Sequence, residues 1–277
     1  MDNRLNAFRP DLADEKLRGI VEANQFVIGT KVQFIAPCTS VFREARSDAM
    51  QLTQALMGES ALVFENKNGW AWVQLGHDQY VGYVRSESLS ATIHTATHHV
   101  CVPSTLIYPK PDLKTQATVL IPMNAQLHII GETGQYSELL NGGFVFSKHI
   151  CNSPSKSDIV SVAESFLNVP YLWGGKTQSG LDCSGLVQTA MHACGMQAPR
   201  DADMQEKSIG TTLQINDLDG LKRGDLVFWE GHVGIMYDES NILHANGFHM
   251  QTVIESLKLA ATRIAESHKP ITSLKRL

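Results

Sequence analysis

The 277-residue sequence has no apolar run near the roughly 18 residues that a membrane-spanning helix needs, so a bilayer-crossing helix is not expected. Its opening, "MDNRLNAFRPDLADEKLRG", is polar and mixed in charge. It lacks the apolar core of a secretory signal, and the expected compartment is the cytoplasm. Basic residues are too few for a polyanion-binding face: 23 Lys and Arg stand against 28 Asp and Glu, a net charge of −5. Nucleic acid and membrane surfaces are therefore not expected partners. Cysteine is sparse as well. The five cysteines are odd in number and contain no CxxC pair, which argues against a disulfide framework and a zinc ribbon. No metal or cofactor is called for. What remains is an ordinary globular composition, 43% hydrophobic and 18% charged, on a chain long enough for two or three domains.

Residues 13–23, "ADEKLRGIVEA", have weak helical character and read as part of an N-terminal arm, 1–26. The stretch "ALVFENKNGWAWVQLGHDQYVGYVRSESL" (61–89) then alternates apolar and polar residues around Asn-Gly and Gly turns, which predicts short strands. "QLHIIGETGQYSELLNGGFVFSKHI" (126–150) echoes that order. The two stretches predict a repeat of two small all-β barrels, over 27–92 and 97–152, joined by the linker "SATIHTATHH" (90–99). The Gly-Tyr-Val ending of the first resembles bacterial SH3-type domains.

From residue 157 the pattern changes. "SDIVSVAESFLNVPY" places Ile159, Ala163, Phe166 and Leu167 at helical spacing, with Pro170 as terminator. A Gly-rich loop, "WGGKTQSG", leads to "LDCSGLVQTAMHACG". There Cys183, Leu186, Val187, Ala190, Met191 and Cys194 fall on one helical face, with Gly195 just past the end. Asp182 suits the N-cap. Cys183 then sits in the first turn, where unpaired N–H groups and the helix dipole favour a thiolate. Position alone leaves two readings of Cys183, a small buried residue or a nucleophile; Cys194 reads as core. "DLVFW" (225–229), "HVGIMY" (232–237) and "NILHA" (241–245) read as successive strands, giving an α+β domain over 157–277.

A cysteine nucleophile needs a base, and the base an orienting group. His232 and His244 lie in consecutive candidate strands. An odd-length turn, Glu239–Asn241 with Asp238 opposite Ile242, would place both on one face, whereas an even-length turn would separate them.

"YLWGGKTQSGLDCSGLVQ", "RGDLVFWEGHVGIMY" and "ILHANG" resemble, in order, the three signature blocks of the NlpC/P60 cysteine peptidases. The resemblance implies a papain-like fold with Cys183 as nucleophile, His232 as base and His244 as its orienting residue. With SH3-type domains ahead of it, the chain is similar to the subgroup that cleaves γ-D-glutamyl–L-diamino acid bonds in murein peptides bearing a free N-terminal L-Ala. Within that subgroup's pattern, Tyr171 and Trp173 line the site, with Tyr171 near the oxyanion. Ser184 and Asp201 hold the substrate amine, although Asp201 is also placed to cap the helix "ADMQEKS". Tyr80 matches a barrel tyrosine that reaches the site, and Asp48 stands nearest to the acidic barrel residue that contacts the amine. The implied role is murein-peptide recycling. The alternatives are an amidase or acyltransferase on the same scaffold, a wall-targeted peptidoglycan hydrolase, a non-catalytic wall-binding protein, and a zinc hydrolase built on the same three side chains, which chelators would inhibit.

Overall fold

The structure, a computed structural model, describes residues 1–154, 156–214, 218–267 and 269–277. The chain divides into two compact units, Met1–Asn152 and Ser153–Leu277.

Unit 1 is built of strands. A seven-stranded antiparallel sheet runs in the order 51–56, 38–42, 81–85, 70–75, 60–67, 30–34, 89–90. Its longest hairpin, Ser60–Lys67 with Trp70–Leu75, turns at Asn68 and Gly69, whose φ angles are 54° and 79°. Positive φ at both positions is the two-residue turn that matches strand twist, and Asn-Gly supplies it at least steric cost. Val32, Phe34, Val41, Val73 and Tyr80 form the core. The following stretch folds into a five-stranded and a three-stranded sheet around Val100, Ile107, Ile121, Leu127 and Val145.

Two expectations for this unit are corrected. Residues 13–23 are not helical: Leu12–Asp14 is a strand paired in parallel with Gln25–Val27, and Glu15–Leu17 makes one 3-10 turn. So short a helix is marginal on propensity alone, and burial decides otherwise. Ala7 and Leu12 pack with Phe64, Trp72 and Val81, while Arg9 stacks on Trp72 at 4.3 Å and reaches Glu65 and Tyr83. The linker reading of 90–99 also fails at its end, because His98–Val100 is a strand between Gln126–Leu127 and Ile150–Cys151.

Unit 2 is α+β. Its helices are α1 (Ile159–Glu164), α2 (Cys183–Ala193), α3 (Ala202–Ser208) and α4 (Leu257–Ser267). Its six-stranded sheet comprises β1 (Thr211–Thr212), β2 (Leu226–Trp229), β3 (His232–Met236), β4 (Asn241–Asn246), β5 (Gln251–Ser256) and β6 (Ser273–Arg276), in the order β1-β6-β2-β3-β4-β5. α2 packs against α1, β3 and β4. α4 sets Leu257 and Ala260 against Val227, Trp229, Met236 and Ile242 of the sheet.

The β3–β4 register pairs Met236 with Ile242, two residues away from the expected Asp238. The carboxylate of Asp238 accepts the N–H groups of Ser240 and Asn241 at 2.8 Å each, so Asp238 belongs to a polar turn and not to the ladder. A shift of two preserves the alternation of faces, so His232 and His244 still share one.

Candidate active site

The site starts at the N-terminus of α2. Asp182 is the N-cap, and its Oδ1 accepts the Gly185 N–H at 2.7 Å. Its Oδ2 accepts the Gly174 N–H at 2.8 Å, which ties the Gly-rich loop to the helix start. Position 185 must be glycine at this packing, because a Cβ there would lie 2.1 Å from the Gly175 carbonyl oxygen. Arg200, 1% exposed, closes the arrangement with a fork. Its Nη2 and Nη1 lie 2.7 and 2.9 Å from the two Asp182 oxygens, and Nη1 also donates to Ser184 Oγ at 2.9 Å. A buried pair with one partner removed leaves an uncompensated charge, at a cost of about 3–5 kcal/mol. Arg200→Met is therefore expected to destabilise unit 2 by that amount in urea unfolding of the full chain; unchanged stability would contradict the assignment.

Cys183 follows directly and is 6% exposed. Its Sγ lies 3.9 Å from the Gly231 carbonyl oxygen. The backbone N–H groups of Val233 and Ser184 also act on the sulfur. Gly231 and Val233 are the two neighbours of His232, so the fold holds the backbone around His232 against the cysteine. Burial pushes the Cys183 thiol up to about 12, and the Asp182 carboxylate pushes the same way, against the two N–H groups and Arg200. Desolvation of the charged form thus opposes the thiolate that the first-turn dipole favours.

From His232 a hydrogen-bonded chain runs inward. His232 Nε2 lies 2.9 Å from His244 Nδ1. Gly234, directly before the β3–β4 ladder, makes room for it: a Cβ there would meet Ile242 Cδ1 at 2.4 Å and His244 Cβ at 3.2 Å. His244 is fully buried, and its Nε2 lies 2.8 Å from Glu255 Oε1. Burial lowers the His244 pKa despite the bond to Glu255, which favours the neutral ring. Burial alone would raise Glu255, but hydrogen bonds from Arg263 and His244 outweigh it and hold the carboxyl at about 2. A thiol packed against the backbone on both sides of one histidine, with that ring bonded to a second imidazole, is the set of groups that can move one proton off sulfur and return it to a leaving group.

Residues 168–264 match the NlpC/P60 family, and residues 41–89 match the bacterial dipeptidyl-peptidase SH3 domain. The chain carries an NlpC/P60 domain. This is a cysteine-peptidase domain, and in sequence a bacterial SH3 domain precedes it. The chain is 27% identical over 227 residues to the γ-D-glutamyl-L-lysine dipeptidyl-peptidase of Bacillus cereus, covering 70% of this chain and 66% of that one. It is 29% identical to the Bacillus subtilis protein of the same name, covering 72% and 73%. In fold it is similar to an NlpC/P60 family protein from Bacillus cereus, with a TM-score of 0.73 at 19% identity over 89% of this chain and 99% of that structure.

The remaining expected residues divide. Within the NlpC/P60 domain, Tyr171 is half-buried and pairs with Leu181, two residues before the cysteine. Burial raises its phenol pKa, and the charges at Cys183 and Asp182 add to the shift. Trp173, 60% exposed, stands at the loop surface. Ser184 is buried and bonded to Arg200. Asp201 occupies the N-cap position of α3, but its side chain makes no capping hydrogen bond. Cys194 is the C-cap of α2 and half-buried, a correction to its reading as core, because the helix ends at Ala193 and Gly195 turns at φ 75°. In unit 1, Tyr80 is 3% exposed within the core, and Asp48 is exposed and paired with Arg46 at 2.9 Å. Arg200, Glu255 and Arg263 were not singled out from the sequence.

Proposed function

We propose that this chain is a cysteine endopeptidase that hydrolyses the γ-D-glutamyl–L-diamino acid bond of short murein peptides with a free N-terminal L-Ala, releasing L-Ala-γ-D-Glu. The observation that carries the reading is the junction at His232: its neighbour's carbonyl touches the Cys183 sulfur, and its ring meets His244 at 2.9 Å. The names of the Bacillus relatives support the bond type. The setting is recycling of released wall peptides in the cytoplasm, with residues 97–152 as a second SH3-type domain.

In the first step the Cys183 sulfur bonds to the γ-carbonyl carbon as its proton passes to His232, and the carbonyl electrons move onto oxygen. Tyr171 and the N-terminus of α2 face that oxyanion. Collapse breaks the C–N bond, and the departing amine takes the proton from His232. Water then adds to the thioester with His232 again as base, which frees the dipeptide and restores the thiol. Asp201 and Ser184 receive the ammonium of the L-Ala. A charged hydrogen bond of that kind contributes about 1.5–3 kcal/mol. N-acetylation should then lower kcat/KM by at least about tenfold. Mass spectrometry of the products from L-Ala-γ-D-Glu-meso-diaminopimelate, free and N-acetylated, tests this. Equal rates would refute amine capture, and ready digestion of intact sacculi would point to a wall-targeted hydrolase instead.

A further inference from the structure

We propose that Glu255, clamped by Arg263, is a positioning residue that fixes the tautomer of His244 and thereby leaves Nδ1 of His232 as the basic nitrogen available to Cys183. The inference rests on the reading that Cys183, His232 and His244 carry the hydrolysis.

The argument follows one chain of protons from its buried end. A neutral imidazole has one N–H and one lone pair, so each ring nitrogen is either a donor or an acceptor. Two imidazoles facing each other can therefore be ordered in two ways, and nothing in the pair itself selects one. In one order His232 donates from Nε2 and keeps a lone pair on Nδ1. In the other it accepts at Nε2 and carries its proton on Nδ1, where it cannot take a second from sulfur.

Glu255 breaks the tie. An ionised carboxylate only accepts. Its Oε1 lies 2.8 Å from His244 Nε2, so that nitrogen carries the hydrogen. The neutral His244 ring then has its lone pair on Nδ1, and Nε2 of His232, 2.9 Å away, is the donor. Each assignment forces the next. Arg263 keeps the starting point fixed: Nη1 donates to Oε2 and Nη2 to Oε1, both at 2.7 Å. The guanidinium is itself held over the Phe248 ring at 4.3 Å. His249 also faces this carboxylate, with Nδ1 3.8 Å from Oε1.

The register explains how residues far apart in sequence converge. On β5, Val253 is opposite His244 and Glu255 is opposite Ile242, so Glu255 is the diagonal neighbour of His244 on the same face. α4 begins immediately after β5 and brings Arg263 back over its end.

Glu255→Gln tests the proposal in the full-length chain. Oε1 accepts from both Arg263 Nη2 and His244 Nε2, and Oε2 from Nη1 alone, so the neutral amide sets its NH2 against one arm of the fork in either orientation and Arg263 no longer fixes an acceptor toward His244. The Nδ1–H form of His244 then becomes populated, and in that form the order of the pair reverses. In a Ser-His-Asp triad the comparable carboxylate-to-amide change costs about 10⁴-fold in kcat through the wrong tautomer. Here kcat is expected to fall by about 10²–10⁴-fold. KM should change little, and the thermal midpoint should stay near that of the unaltered chain. Long-range ¹H–¹⁵N correlation of histidine-labelled protein reads the tautomer directly: Nε2–H for His244 in the unaltered chain, with Nδ1–H appearing in the variant. If the variant does not fold, the spectrum of the unaltered chain still decides, because His244 found with Nδ1–H overturns the proposal. Full activity in Glu255→Gln overturns it as well, and so does a loss of kcat with the tautomer unchanged. Activity retained by His232→Ala would instead refute the underlying assignment of the base, a separate result from the same assay.

Discussion

Cys183→Ala is expected to abolish hydrolysis of L-Ala-γ-D-Glu-meso-diaminopimelate, because the alanine cannot form the thioester on which both chemical steps depend. Cys194→Ala should retain turnover, since Cys194 caps the far end of α2 and is only half-buried. The comparison separates loss of chemistry from loss of a thiol. Alkylation adds a sign. The Cys183 pKa is raised, to about 12, so the thiolate fraction is small at neutral pH and grows as pH rises. Only the thiolate reacts. Iodoacetamide labelling of Cys183 should therefore climb by about tenfold per pH unit through the neutral range. A rate that is flat from mildly acidic pH upward would mean a pre-formed thiolate, and the neutral-thiol state would be wrong.

Local chemistry made much of unit 2 legible. The start of α2 follows from Asp182 beside a 3.6-residue apolar period, and the structure places the N-cap there. The β3–β4 hairpin was readable in the property that matters, since parity of the turn decides which face each histidine takes. Its register was not, because the Asp238 turn competes with the ladder through side-chain hydrogen bonds that alternation does not encode. The burial that opposes a Cys183 thiolate was not readable either. A helix start can be seen in sequence, whereas the packing of Gly231 and Val233 over the sulfur is tertiary. Arg200, Glu255 and Arg263 belong to the same class. Each becomes meaningful only through a partner brought close by the fold: Arg200 with Asp182, Arg263 with Glu255, Glu255 with His244. A signal for α4 was present, since Leu257, Ala260, Ala261 and Ile264 recur at helical spacing. It would have placed the last helix within the domain without revealing the clamp.

His232→Ala carries the second large expectation, a fall in kcat of about 10²–10⁴-fold, typical of removing a general base. The loss has two sources. Burial disfavours the thiolate, so without His232 no base takes the thiol proton as the S–C bond forms. The leaving amine then departs without the proton that His232 would have returned. Neither source involves binding, so KM should stay close to its original value. His244→Ala should lose less. It removes the acceptor for His232 Nε2, but the His232 ring also packs against Trp229, with centroids 5.5 Å apart, which retains part of its orientation. Alkylation distinguishes a base acting during the reaction from one that has already ionised the thiol. If burial keeps the resting sulfur protonated, His232→Ala should change the labelling rate at pH 7 by less than about tenfold, far less than it changes kcat. Parallel falls in labelling and turnover would show that His232 ionises the thiol before substrate arrives, and equal turnover in the variant and the unaltered chain would remove His232 from the mechanism.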